Sequence, residues 1–205
     1  MAVSKFQPVD AIKRLYDEGQ RLFGESRVQE LEQKAASLPA DIDWHFIGHL
    51  QTNKVAKLLR VPRLQLIQSV DTFKLLHCID HEANKAATTV NILLELHVAR
   101  EETKYGFTPQ ELEDWFEVKG YNELKAVRLC GLMGMASNTD DTTRVAKDFD
   151  TIAQTFTRLQ QLAPQLKHFK ILSMGMSGDY LIAIDRGANM VRVGSALFGE
   201  RTASN

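Results

Sequence analysis

Lys5 closes a short apolar run, Ala2-Val3-Ser4, near one end of the chain, and Arg192 lies inside another, Met190-Val191-Arg192-Val193-Gly194, near the other. A deprotonated lysine amine attacks carbonyl carbons, whereas a guanidinium keeps its charge and only donates hydrogen bonds. Each cation raises the cost of the other, so a shared site for both implies an anion or an electron-rich ligand. The sequence offers that ligand a place. Ser173-Met174-Gly175-Met176-Ser177-Gly178-Asp179 and Gly194-Ser195-Ala196 supply hydroxyls, backbone N–H groups and glycines that allow close approach. Taken singly, Lys5 is a solvated lysine at a strand end and the Ser/Gly segments are turns. Only their convergence would give them a chemical role.

Convergence requires a fold that joins the two ends of the chain. Eight β-rich apolar runs occur at 2–4, 21–24, 43–48, 64–70, 90–98, 126–133, 169–173 and 189–194. Most are continuously apolar rather than alternating, as in parallel strands covered on both faces. Seven helical patterns lie between them. Pro8 opens one holding Ile12, Leu15 and Tyr16 that Gly19 closes, and Asp71 is placed to cap one with Leu75, Leu76, Ile79 and Ala83. Thr108-Pro109-Gln110-Glu111 forms a capping box, and Val145, Phe149, Ile152, Phe156 and Leu159 recur at helical spacing before Pro164. No linker or composition break divides residues 1–205, which read as a single domain. The pattern predicts an α/β fold, a (β/α)8 TIM-type barrel, with an open doubly wound sheet as the alternative.

Barrel closure makes strand 8 a neighbour of strand 1 and brings Lys5 and Arg192 together at the rim where the strands end. The loops after strands 7 and 8 of such barrels commonly bind phosphate. An anchored phosphate, a nucleophilic lysine and a nearby arginine describe a pocket for pyridoxal 5'-phosphate (PLP). The lysine would form a covalent imine with the aldehyde, the arginine would meet the pyridine nitrogen, and the loops would hold the phosphate.

Ala2-Val3-Ser4-Lys5, Phe23-Gly24-Glu25 with Val28-Gln29-Glu30, Trp44 to Gln51, Gly131-Leu132-Met133, Ser173 to Ser177 and Val191 to Ser195 run in one order. Together they resemble the pyridoxal phosphate homeostasis protein family, single-domain barrels related to the N-terminal domain of alanine racemase. The resemblance spans essentially the whole chain. It implies an imine at Lys5, a ring-nitrogen contact from Arg192, and phosphate contacts around Met176, Ser177, Gly194 and Ser195. Ser26 stands where the family usually has Asn at a ligand contact, and the family's usual N-terminal helix before the first strand is lacking. The implied function is binding, buffering and delivery of PLP to PLP-dependent apoenzymes without turnover; the cysteine usage and the lack of an apolar signal stretch suit a cytoplasmic protein, and the lack of a second domain suits a monomer.

Composition narrows the remaining classes. Twenty-five Lys plus Arg against 26 Asp plus Glu give a formal charge of -1, which lacks the general attraction a nucleic-acid or anionic-membrane binder needs. No apolar run reaches the ~20 residues of a membrane span. Cys78 and Cys130 make no disulfide framework. His45 and His49 share a strand face without a third metal ligand at convincing spacing, so His49, at the mouth end, is placed to line the pocket. His77 and His81 read as a polar helix face. Glu101 to Gly106 resembles a family loop at the barrel mouth and equally suits a charged surface turn. A PLP-dependent amino-acid racemase is the alternative function, and a phosphosugar enzyme with Lys5 as its Schiff-base lysine is a third.

Overall fold

The computed structural model describes residues 1–99 and 105–199. Eight strands, β1 (Ala2–Val3), β2 (Leu22–Glu25), β3 (Asp43–Phe46), β4 (Leu64–Val70), β5 (Val90–Leu96), β6 (Val127–Gly134), β7 (Ile171–Met176) and β8 (Met190–Arg192), form one sheet in sequential order. Each is parallel to the next. A parallel bridge between Ala2 and Val193 closes the circle, with the Val3 amide donating to the Val193 carbonyl at 2.7 Å and the Val193 amide to that of Met1 at 3.1 Å. The fold is therefore the barrel rather than the open sheet.

Helices α1 (Val9–Asp17), α2 (Val28–Ser37), α3 (Val55–Leu58), α4 (Phe73–Lys85), α5 (Pro109–Glu117), α6 (Thr142–Leu162), α7 (Tyr180–Asp185) and α8 (Ser195–Phe198) lie between and after the strands. The described residues thus hold one α-helix more than the seven patterns predict: the single turn of α8 follows β8, outside the seven gaps between strands. The capping box at Thr108 and Glu111 forms in full. All five apolar positions of the α6 stripe are buried, each stabilising by about 1.5–3 kcal/mol relative to exposure. Pro8 precedes α1, and Gly19, at φ +97°, follows its end in the left-handed conformation. One expectation is corrected. Thr72, not Asp71, caps α4, its hydroxyl accepting from the Leu75 amide, because Asp71 turns inward to His49.

The main core lies between sheet and helices. A second, smaller cluster of Leu66, Leu93, Cys130 and Met133 sits apart from it. β7 extends to Met176, beyond the apolar run that predicts its end at Ser173. Its later residues look loop-like because of their glycine, yet Met174 is fully buried and Gly175, at φ +92°, leaves room for Ala183 of α7, which a Cβ would meet at 2.6 Å.

Gly131 sets the approach of β6 to β7. Its φ is +149°, and a Cβ there would lie 1.8 Å from the Ile171 carbonyl oxygen. Gly131→Ala should therefore force the two backbones apart, at a cost of about 3 kcal/mol or more. Gly178→Ala, where nothing lies within 4 Å, should change stability by less than about 0.5 kcal/mol. Urea unfolding of the two variants checks the contrast, and equal midpoints would show that β6 and β7 do not require the glycine.

Candidate functional site

The C-terminal ends of the strands surround a cavity of about 560 Å³ lined by Val3, Lys5, Gln7, Ile47, Met135, Met176, Ser177, Arg192, Gly194 and Ser195, among others. That volume suits a small cofactor. Lys5 follows β1 in a turn closed by the Gln7 amide donating to the Ser4 carbonyl at 3.0 Å. Phe6 completes the turn at φ +64°, a conformation a bulky residue rarely adopts.

Arg192 is 5% exposed and locked in place. Its Nη1 donates to the carbonyl and the hydroxyl of Ser173, both at 2.9 Å, and its Nη2 to the Gly134 carbonyl at 3.0 Å. The Ser173 hydroxyl passes the chain on, donating to Gln68 Oε1 at 2.7 Å, and Gln68 Nε2 donates to His45 Nδ1 at 2.8 Å. Burial, helped by the charge of the Met1 amine, lowers the His45 pKa to about 4, so the ring is neutral and its Nδ1 can accept. Burial pushes Arg192 down to about 10, against Glu95 and Asp179, which raise it. It remains charged at neutral pH. Glu95 is itself buried and raised to about 7, first by burial and then by Asp71, with Arg192 opposing.

The loops after β7 and β8 meet over one hydroxyl. Ser177 Oγ accepts from the amides of Gly194 at 3.1 Å and Ala196 at 3.4 Å, and the Asp179 carboxylate accepts from the Met176 amide. The Ser177 hydroxyl can donate to a phosphate oxygen, and its Oγ draws the Gly194 and Ala196 amides toward the same point. These donors, the amine and the fixed guanidinium fit a cofactor carrying an aldehyde, a basic ring nitrogen and a phosphate.

Six sequence-predicted site residues, Lys5, Met176, Ser177, Arg192, Gly194 and Ser195, share this cavity. Ser26 and His49 do not join them. They line a neighbouring cavity of about 850 Å³ with Phe6, Arg27, Lys54 and Lys57. His49 Nδ1 lies 2.8 Å from Asp71 Oδ2, and its ring stacks on Tyr105 at 4.0 Å. Residues 101–104 of the loop read as a mouth segment lie outside the described residues. No group of three metal-ligating side chains occurs among the described residues, and none of their helices is long and apolar enough to cross a membrane. Both cysteines are free. The sequence reading passed over Gln7, Ile47 and Met135 in the lining, Ser173 and Gly134 as anchors of Arg192, and Glu95. Of these, Glu95 had left a signal: it is the one acid in the β run at 90–98.

Comparison with known proteins agrees with this geometry. Residues 1–202 match the family model of the alanine racemase N-terminal domain. A Schizosaccharomyces pombe pyridoxal phosphate homeostasis protein is 37% identical over 98% of this chain and 83% of its own length, and one from Helicobacter pylori (strain J99) is 39% identical over 98% and 86%. PipY of Synechococcus elongatus, solved without and with PLP bound, superposes with TM-scores of 0.90 and 0.87 at 36% identity, over 97% of this chain and 91% of its own. Alanine racemase of Clostridium difficile shares the fold, at TM-score 0.73 and 14% identity over 100% of this chain and 52% of its own. The barrel is thus of the alanine racemase N-terminal-domain class. Within that class, the chain belongs to the pyridoxal phosphate homeostasis protein family.

His45 and Glu95 give opposite pH dependences. His45, lowered from 6.5 to about 4, binds its proton less well when folded, so its contribution to stability is lost as pH falls from 6.5 toward 4. Glu95, raised from 4.5 to about 7, holds its proton better when folded, so stability is lost as pH rises through that window. Each is worth roughly 3 kcal/mol, and between about pH 4.5 and 6.5 the two cancel. In Glu95→Gln the cancellation should vanish. Relative to the wild type, the variant should gain roughly 3 kcal/mol between pH 4.5 and 7 in urea titrations. A difference that stays constant with pH would show that Glu95 titrates normally.

Proposed function

We propose that this protein binds PLP in the Lys5 cavity and holds it for release to PLP-dependent apoenzymes, without turning over a substrate. The observation that carries this reading is Lys5 and Arg192 on one cavity with the Ser177, Gly194 and Ser195 loops. Lys5 Nζ would bond to the cofactor aldehyde as an imine, its oxygen leaving as water, and Arg192 would donate toward the pyridine nitrogen. Ser177, Gly194 and Ser195, with the Met176 backbone, hold the phosphate. Ser26 and His49, the two remaining expected contacts, line the adjacent cavity instead. PipY, solved with PLP bound at 36% identity, supports the assignment. Residues 1–205 act as a single domain, in a cytoplasmic monomer.

PLP on a protein supplies an electron sink for substrate carbanions, most effectively when its ring nitrogen is protonated. Arg192 works against that, because a charged, donor-only guanidinium leaves the nitrogen an acceptor. Its rigid anchoring on Ser173 and Gly134 keeps it from turning away. Racemisation also needs two bases on opposite faces of a substrate. Among the described residues, the two tyrosines near the rim, Tyr105 and Tyr180, are not part of the Lys5 cavity lining, and Tyr105 stacks on His49.

Borohydride treatment of the PLP-loaded protein should fix the cofactor on the peptide bearing Lys5. Lys5→Ala should lose the imine absorbance and bind PLP at least tenfold more weakly, about 1.4 kcal/mol. Retained imine absorbance in that variant would remove Lys5 from the site. Assays for amino-acid racemisation should stay at background, and turnover abolished by Lys5→Ala would make the protein a racemase instead. Borohydride trapping of a phosphosugar on Lys5 would favour the Schiff-base sugar enzyme.

A further inference from the structure

We infer that Glu30 and Lys34 of α2 are positioning residues for Lys5, clamping the backbone on both sides of it. The inference rests on the PLP-binding reading for its purpose but not for its geometry. Side chains alternate along a strand, so Ser4 points away from the cavity toward α2 while Val3 and Lys5 line the cavity. Ser4 is fully buried, and its hydroxyl donates to Glu25 Oε1 at 2.6 Å. Lys34 Nζ donates to the Ser4 carbonyl at 2.8 Å, to Glu25 Oε1 at 2.7 Å and to Glu30 Oε1 at 2.7 Å, which uses all three of its protons. Glu30 Oε1 in turn accepts from the Phe6 amide at 2.8 Å. Both chain neighbours of Lys5 are thus tied to one ammonium–carboxylate pair, which the i, i+4 spacing of Glu30 and Lys34 places on one face of α2.

Two observations separate this cluster from ordinary packing. Lys34 and Glu25 are 5% and 0% exposed, and Glu25 Oε2 is buried without a hydrogen bond, so burial raises the Glu25 pKa despite Lys34 and Ser4. A buried ion group of this kind is an inefficient source of stability, since well-packed apolar side chains commonly do as well or better. The cluster also holds strain. Phe6 sits at φ +64°, which persists in a non-glycine residue only where the surroundings over-determine it. The Glu30 acceptor on the Phe6 amide and the Arg27 guanidinium 4.8 Å from the Phe6 ring centroid supply that constraint. The strained turn fixes where the Lys5 side chain leaves the backbone.

The test compares Glu30→Ala, which removes the acceptor, with Glu30→Gln, which keeps it; Glu30 is only half-buried. Two readouts are taken on the full-length protein: PLP affinity with the pH titration of the imine band, and the rate of reductive methylation of Lys5 by formaldehyde and borohydride without PLP, mapped by mass spectrometry. Glu30→Ala should bind PLP about tenfold more weakly, as expected for loss of a hydrogen bond to a charged group. It should also shift the imine titration and change Lys5 methylation relative to the other lysines, while Glu30→Gln stays close to the wild type in all three. Lys34→Met should reproduce Glu30→Ala where it folds. If Glu30→Ala loses urea stability but keeps wild-type PLP affinity, imine titration and Lys5 methylation, the cluster is structural and the inference falls. If the wild type takes up no PLP yet the methylation contrast persists, the clamp stands and the PLP reading fails.

Discussion

The pairing of β8 with β1 is the constraint on which the rest depends. One bridge, Ala2 to Val193, with the amides of Val3 and Val193 bonded across it, turns a sheet with two edges into a barrel with none. It brings residues almost two hundred positions apart onto one cavity. Without it Lys5 and Arg192 would stand on opposite edges of an open sheet, and the loops after β7 and β8 would face no amine. Closing so long a loop is costly in chain entropy. The other strand pairs, with the core they bury against the helices, provide the free energy that offsets it.

The same closure places a charge inside the barrel. Arg192 replaces water with the Ser173 carbonyl and hydroxyl and the Gly134 carbonyl, and the chain Ser173–Gln68–His45 continues across the interior with a consistent donor direction. That direction depends on His45 being neutral, since a protonated ring could not accept from Gln68. Burial therefore keeps His45 an acceptor for Gln68, while the Ser173 and Gly134 carbonyls orient the guanidinium at the far end of the chain. Glu95 completes the balance. Its raised pKa puts its titration near neutrality, so the charge it sets against Arg192 is partial.

Much of this was legible in the residues. The continuous apolar runs specified parallel strands, the capping box and the α6 stripe specified helices, and the charged Arg192 inside a β run pointed to the barrel mouth. Other features were hidden for physical reasons. α8 is a single turn that follows β8, outside the seven gaps between strands. The end of β7 contains a glycine in a left-handed conformation, which reads as a turn although it is a strand closely approached by α7. Asp71 looked like a cap because side-chain chemistry at an N-cap is shared by Thr72, and only the three-dimensional position of His49 decides between them. The distribution of Ser26 and His49 to a second cavity depends on how two loops fold over, which strand spacing does not encode. The ion cluster under Lys5 was invisible for a similar reason: Glu25, Glu30 and Lys34 read as ordinary charges until α2 is docked on β1.

That cluster compensates for a weakness of the architecture. β1 is the shortest strand, two residues paired to β2, and its bond to β8 is an isolated bridge. Backbone pairing alone holds such a strand loosely, and the residue after it would inherit that looseness. On the proposed PLP-binding reading this is where the amine must be fixed most closely, because small displacements of a reacting group cost large factors in reactivity. The alternation of β1 resolves the conflict. One face of three consecutive residues lines the cavity, while the intervening Ser4 is anchored to α2, so the helix supplies the rigidity that the short strand lacks. The turn that follows is bound to the same helix through Phe6. Barrel closure thus determines which groups meet, and the α2 cluster determines how firmly one of them is held.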